Sequence, residues 1–185
     1  MELPMKVILV GDTSMTEQTT LPSPPDHSAT SDPVYDIFGA QDFIIMSVIA
    51  NRLARSASPH FRKKFGVGLI EWRIIHVLGF ESPLSAQQLS ISTDFDKAAI
   101  SRSLQVLANM EWIEIKRTGR SQPRKLIYIT PLGRRMREEL VKISLARQKL
   151  IFSDVDCDRL AVFRSMLKFL MEKTAELDKY YQIPP

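Results

Sequence analysis

The chain has 185 residues, of which 44% are hydrophobic and 25% charged, and a formal net charge of +4. This is the composition of an ordinary globular domain with an appendage, long enough to bury a core without covalent staples. A single cysteine, Cys157, excludes an intramolecular disulfide framework and points to a reducing, cytoplasmic compartment; no apolar run nears the roughly 20 residues of a membrane span, and Val7–Val10 is too short for the core of a secretory signal.

Residues 1–33 carry Glu2, Asp12, Glu17, Asp26 and Asp32 against Lys6 alone, a net charge of −4. The stretch 11–33 is rich in Ser, Thr and Pro and nearly free of apolar side chains, so an acidic disordered tail is predicted over 1–33. Lys6–Val10 within it reads as a lone strand, an interaction arm or an artefact of start-codon choice, with Met5 and Met15 as the other candidate starts. From Val34 the texture changes. Ile37, Gln41, Ile44, Ile45, Val48, Ile49 and Arg52 fall at helical spacing, which predicts one long helix from about Asp36 to about Ala57. A basic turn, Arg62-Lys63-Lys64, follows, and then a helix from about Gly68 to Leu78.

Two short helices come next. Ser85 with Gln88 is a capping box, and Leu84 with Leu89 has the spacing of a hydrophobic staple. Asp96 is a second N-cap, with Phe95 and Ile100 repeating the staple. The link Ile91–Phe95 is short enough for a helix-turn-helix. Trp112–Lys116 and Lys125–Ile129 are β-branched and aromatic runs around a link holding Gly119 and Pro123, which predicts a β-hairpin. Thr130 caps a helix opened by Pro131 and expected to reach about Phe152. Asp154 or Asp156 starts a last helix striped by Leu160, Phe163, Leu167, Leu170 and Met171, fraying near Tyr180.

The expected fold is therefore mainly α with a small β-hairpin wing. It is a winged helix-turn-helix (66–130) between an N-terminal dimerisation helix (34–65) and C-terminal dimerisation helices (131–180). The outer helices have apolar stripes broader than a small winged domain covers, so a homodimer is expected.

Residues 94–137 hold ten bases and four acids, the electrostatic footprint of polyanion binding. On the helix starting at Lys97, the side opposite Ile100, Leu104 and Leu107 presents Ala98, Ser101, Arg102, Gln105 and Asn109. Arg102 has the fork that reads guanine, and Gln105 or Asn109 the amide that reads adenine. The hairpin adds Lys116, Arg117, Arg120, Arg124 and Lys125 with no acid among residues 116–125, which suits a minor groove and its phosphates. Ser85, Gln87 and Gln88 open the preceding helix, where free N–H groups favour phosphate; Ser85 is first of all a cap.

LIEWRI (69–74), LSAQQL (84–89), DKAAISRSL (96–104) and YITPLG (128–133) together, and in this order, resemble the multiple antibiotic resistance regulator (MarR) family over about residues 36–175. The resemblance implies homodimers, each subunit a winged helix on a helical dimerisation domain. It implies binding to palindromic operator DNA, most often as a repressor, and release by a phenolic or aromatic carboxylate ligand. It lays Lys97, Ser101 and Arg102 on the family's recognition motif. Two departures stand out. The wing reads Ser121-Gln122-Pro123-Arg124 where the family has Asp-x-Arg. Glu111 stands where the family favours Gly after the recognition helix, so Asn109 or Met110 is expected to make that turn.

A ligand pocket is expected where the first, second and fifth helices meet. Trp72 and His76 share a helix face, Arg55 and His60 lie near the end of the first helix, and an aromatic wall with a cation suits an aryl carboxylate. Core roles for Trp72 and His76 are the bland alternative. Three carboxylates around Cys157 disfavour its thiolate, so redox sensing is not expected. No catalytic set, cofactor motif or metal-ligand spacing is present. The main expectation is a DNA-binding transcription regulator rather than an enzyme. The alternative is a winged-helix module that binds proteins and has no specific DNA site.

Overall fold

The computed structural model describes residues 32–38, 41–118 and 124–180. Residues 1–31 of the expected tail, with the strand or arm read at Lys6–Val10, lie outside the described residues, as do Gly119, Arg120 and Pro123; Pro33, expected to end the tail, is instead the first residue of a helix. The chain falls into two units that part between Val48 and Ile49.

The first unit contains α1 (Pro33–Phe38) and the first turns of α2 (Asp42–Phe65). The single helix expected from Asp36 is therefore two. The backbone turns between them, with the Gln41 N–H donating to the Phe38 carbonyl at 2.6 Å and the Gln41 carbonyl accepting from Ile44 and Ile45. Asp42 then sits in the first turn of α2, where a carboxylate meets the positive end of the helix dipole.

At its other end α2 also outruns expectation. Arg62, Lys63 and Lys64 form its last turn rather than a loop, so three cations meet the negative end of the same dipole. Pro59 lies inside the helix and has no N–H to offer the Arg55 carbonyl. Gly66, at φ +72°, closes the helix by donating to the Arg62 carbonyl.

The second unit is the winged domain with its C-terminal helices. In α3 (Leu69–Phe80), Ile74, Ile75 and Leu78 are buried. In α4 (Ala86–Thr93) the expected capping box is in place: Gln88 Oε1 accepts from the Ser85 N–H at 2.9 Å, and Ser85 Oγ accepts from the Gln88 N–H at 3.2 Å. Helix α4 runs two residues past the expected start of its link, to Thr93. The Thr93 hydroxyl, buried, donates back to the Leu89 carbonyl at 2.6 Å. Asp94 then stops the helix in the left-handed region at φ 56°, which Asp tolerates better than most residues. Asp96 caps α5 (Lys97–Asn109) by accepting from the Ala99 N–H at 2.8 Å.

Strands β1 (Ile113–Thr118) and β2 (Arg124–Ile129) pair antiparallel, with Ile113 opposite Ile129 and Thr118 opposite Arg124. Leu84 adds a bridge to the hairpin, exchanging two backbone hydrogen bonds with Ile127 at 3.1 and 2.8 Å. Thr130 Oγ1 caps α6 (Pro131–Ile151) at the Gly133 N–H. In front of α7 (Cys157–Tyr180), Asp156 accepts from the Arg159 N–H at 2.8 Å, so Asp156 is the cap of the two aspartates considered.

One core joins α3, α4, α5, the hairpin and α6, with Ala57 and Phe61 from α2 and no described residue of α7. Ile74, Leu78, Leu89, Ile100, Leu107 and Leu140 are fully buried in it, with Trp112 and Ile127 from the base of the wing. Both staple pairs belong to it: Leu84 with Leu89 inside, and Phe95 packed against the cluster that holds Ile100.

The turn after α5 departs from expectation. Neither Asn109 nor Met110 takes the left-handed conformation; Glu111 does, at φ +60°. The Glu111 N–H donates to the Ala108 carbonyl at 2.9 Å and the Trp112 N–H to the Leu107 carbonyl at 3.0 Å. That is the hydrogen-bond pattern of a Schellman cap, with Trp112 and Leu107 supplying its usual apolar contact. The hydrogen bonds and the buried Trp112 hold Glu111 in a conformation that glycine would adopt freely. Gly133 matters for closeness instead: a Cβ there would overlap the Trp112 carbonyl oxygen.

Candidate nucleic-acid interface

Helix α5 has two sides. Ala99, Ile100, Ser103, Leu104 and Leu107 are buried, while Lys97, Ala98, Ser101, Arg102, Gln105 and Asn109 are exposed. The division follows from apolar side chains at three- and four-residue spacing. The outer side thus carries two cations, a hydroxyl, two amides and a small alanine on a rigid, capped helix. Gln105 Nε2 donates to Asn109 Oδ1 at 2.8 Å, so these amides are linked and present one unit rather than two.

The wing places its charge differently from helix α5. Arg117 lies directly opposite Lys125 in the ladder, and both are exposed, as is Arg124. Like charges facing each other across a strand pair are destabilising. No described acid offsets this pair: the one ion pair among the described wing residues, between Glu114 and Lys116 at 2.7 Å, engages Lys116 instead. Lys116 also lies over the Tyr128 ring at 5.2 Å, and Glu114 raises its pKa above the ordinary lysine value. Arg117, Arg124 and Lys125 are therefore the described wing cations most open to an external anion.

At the start of α4, Ser85 and Gln88 are half-buried and committed to each other through the capping box, which leaves Gln87 as the exposed polar side chain. Sequence reasoning missed Arg73. It donates to the Thr93 carbonyl at 3.2 Å and its guanidinium lies 5.0 Å from the centre of the Phe95 ring, which pins the α4–α5 turn onto α3.

The residues expected around a ligand pocket are gathered only in part. Trp72 and His76 lie on one face of α3 with ring centres 4.8 Å apart. Phe61 continues the row on one side at 6.2 Å and Phe80 on the other at 5.0 Å. His60 is exposed and touches the row through Phe61. Arg55 is exposed on α2 and has no described contact with the row.

The cation beside these rings is Arg137 from α6, which sequence reasoning missed. It lies 4.7 Å from the centre of the Phe80 ring and donates to the His76 carbonyl at 3.4 Å. Gly79 makes room for it, since a Cβ there would meet the Arg137 side chain. Burial, and then the charge of Arg137, lower the His76 pKa below its ordinary value of 6.5. His76 Nδ1 is buried and has no hydrogen-bond partner among the described residues. A separate cleft of about 340 Å³ lies between α6 and α7, lined by Leu145, Lys149, Phe152, Leu160 and Arg164 among others.

Among the described residues no group of His, Cys, Asp and Glu is arranged to hold a metal ion, and no helix is long and apolar enough to cross a membrane. Cys157 is exposed at the first position of α7.

No family model matches this sequence, and no curated protein does. Solved structures do. A MarR/EmrR family transcriptional regulator from Acinetobacter sp. ADP1 is 27% identical, with a TM-score of 0.68 over 75% of this chain and 98% of that one. A MarR family regulator from Silicibacter pomeroyi is 17% identical, with a TM-score of 0.65 over 77% and 96%. FabT of Streptococcus pneumoniae, solved in complex with DNA, is 18% identical, with a TM-score of 0.61 over 74% and 97%. The resemblance carried by the four sequence motifs is met by the fold: the chain is a winged helix-turn-helix protein whose structural relatives are MarR-family transcriptional regulators.

Proposed function

We propose that the chain is a DNA-binding transcription regulator that acts as a homodimer. In this reading α5 lies in a major groove with Lys97, Ala98, Ser101 and Arg102 toward the bases and Gln105 behind them. Gln87 and the wing cations Arg117, Arg124 and Lys125 hold the flanking phosphates. Lys116, Ser85 and Gln88, already engaged within the protein, contribute chiefly to local structure. Two such units on a two-fold axis match a pseudo-palindromic operator with half-sites about one helical turn apart.

The observation that carries the reading is the pairing of an exposed polar side on a rigid, capped helix with a wing whose like charges face each other. A polyanion relieves that repulsion; a protein partner without dense negative charge does not. The solved DNA complex of FabT, a protein of the same fold, adds support.

A second copy accounts for the outer helices. None of the described side chains of α7 is buried, and Val162, Phe163, Met166, Leu167 and Phe169 are each about half exposed. An apolar stripe this long is the kind of surface that marks an interface. The aromatic row of Trp72 and His76, with Arg137 beside it, suits a small aromatic carboxylate or phenol whose binding shifts α3, and repression relieved by such a ligand is the regulatory mode proposed here.

The test selects a duplex from a random-sequence pool with the purified protein, then titrates the selected and a scrambled duplex at two salt concentrations. A gap between the duplexes that survives the higher salt supports the reading, with two copies per duplex expected from solution mass. Equal binding that collapses with salt leaves only a basic surface and favours the protein-binding alternative.

A further inference from the structure

The side of α5 that faces the core contains one polar side chain, Ser103, and it is 3% exposed. Its hydroxyl donates to Glu71 Oε1 of α3 at 2.6 Å. The other oxygen of the same carboxylate, Oε2, accepts from the Gly68 N–H at 2.8 Å. Glu71 therefore does two jobs at once: it caps the start of α3 and fastens α5 to that start. Among the described residues this is the side-chain hydrogen bond that joins the two helices, since Arg73 reaches from α3 to α4 instead.

The remaining contacts of α5 with the core are apolar. Ile100, Leu104 and Leu107 anchor the helix, but dispersion contacts are non-directional and allow small rotations about the helix axis. A short hydrogen bond from a buried hydroxyl is directional. Ser103 adjoins Arg102 in the chain, so its azimuth fixes where the guanidinium leaves the helix. Base reading depends on that direction, because a bidentate contact tolerates little misalignment, whereas phosphate contact does not.

We propose that Glu71 is a positioning residue for base discrimination: through Ser103 it sets the rotation of the recognition helix on α3. The inference rests on the DNA-binding reading and adds to it a residue that touches no DNA. Helix α3 also carries Trp72 and His76, so one rigid helix joins the aromatic row to the recognition helix.

Selected and scrambled duplexes, obtained with the wild-type protein as above, are titrated with Ser103→Ala, Glu71→Ala and Glu71→Gln, and thermal midpoints are recorded. Glutamine keeps an oxygen for the Gly68 N–H and an amide N–H for the Ser103 oxygen, so Glu71→Gln retains the tie and the wild-type affinity ratio. Ser103→Ala, which leaves the α3 cap intact, lowers the selected-to-scrambled ratio about tenfold with scrambled-duplex affinity unchanged. Combining it with Glu71→Ala lowers the ratio no further. A folded Ser103→Ala protein with the wild-type ratio overturns the proposal, as does an equal loss on both duplexes. A wild-type protein that selects no sequence removes the DNA-binding reading itself, and this inference with it.

Discussion

Glu111 holds a left-handed backbone conformation at φ +60° with its side chain exposed. A non-glycine residue there costs about 1–2 kcal/mol, and glycine would return part of that gain through the greater freedom of its unfolded chain. Glu111→Gly is expected to raise stability by up to about 1 kcal/mol, a rise in Tm of about 2–4 °C for a chain of this size. A Tm that stays level or falls would show that no strain resides at this turn. The motif comparison located the position correctly but moved the turn to Asn109 or Met110. It missed that two backbone hydrogen bonds and the buried Trp112 ring over-determine Glu111.

His76 makes the stability depend on pH. Its folded-state pKa lies below 6.5, through burial first and then Arg137, so the unfolded chain binds its proton more readily. Stability that is complete above pH 6.5 is therefore lost as pH falls through that value toward the lower folded pKa. In His76→Gln this part of the pH dependence should be gone from denaturant unfolding measured across pH 5 to 7.5. An unchanged profile would place the dependence on other groups.

At the scale of elements, the winged helix was legible wherever local chemistry decides structure. Ser85, Asp96 and Thr130 cap the helices expected of them because a side-chain oxygen three residues before an orphan N–H is a local signal. The β-hairpin was legible from its β-branched runs. What escaped was long-range: the Leu84–Ile127 bridge, the Glu71–Ser103 tie across 32 positions, and Arg137 reaching from α6 to α3. No spacing rule links such residues before the fold exists. The division of the first helix into α1 and α2 escaped because Ile37, Gln41 and Ile44 keep helical spacing in the sequence although Gln41 is polar.

The proposed role of the wing is electrostatic. Replacing Arg124 or Lys125 by alanine should weaken the selected and scrambled duplexes by similar factors and reduce the magnitude of the salt slope by about one. A loss confined to the selected duplex would mean that the wing reads bases.

At the scale of the whole molecule, bases are spread over most elements, but the stretch 116–125 holds five of them and no acid, whereas the exposed apolar residues of α7 lie on a C-terminal helix apart from the hairpin in the chain. The sequence contained both patterns, and the α7 stripe was readable from Phe163, Leu167, Leu170 and Met171. The proposed homodimer would bury that stripe.

If the outer side of α5 reads sequence as proposed, Arg102→Ala exposes it. Titrated against the selected and scrambled duplexes at fixed salt, the variant should lose about 1–3 kcal/mol on the selected duplex and keep its affinity for the scrambled one. A variant that binds the selected duplex as tightly as the wild type would show that Arg102 does not read a base.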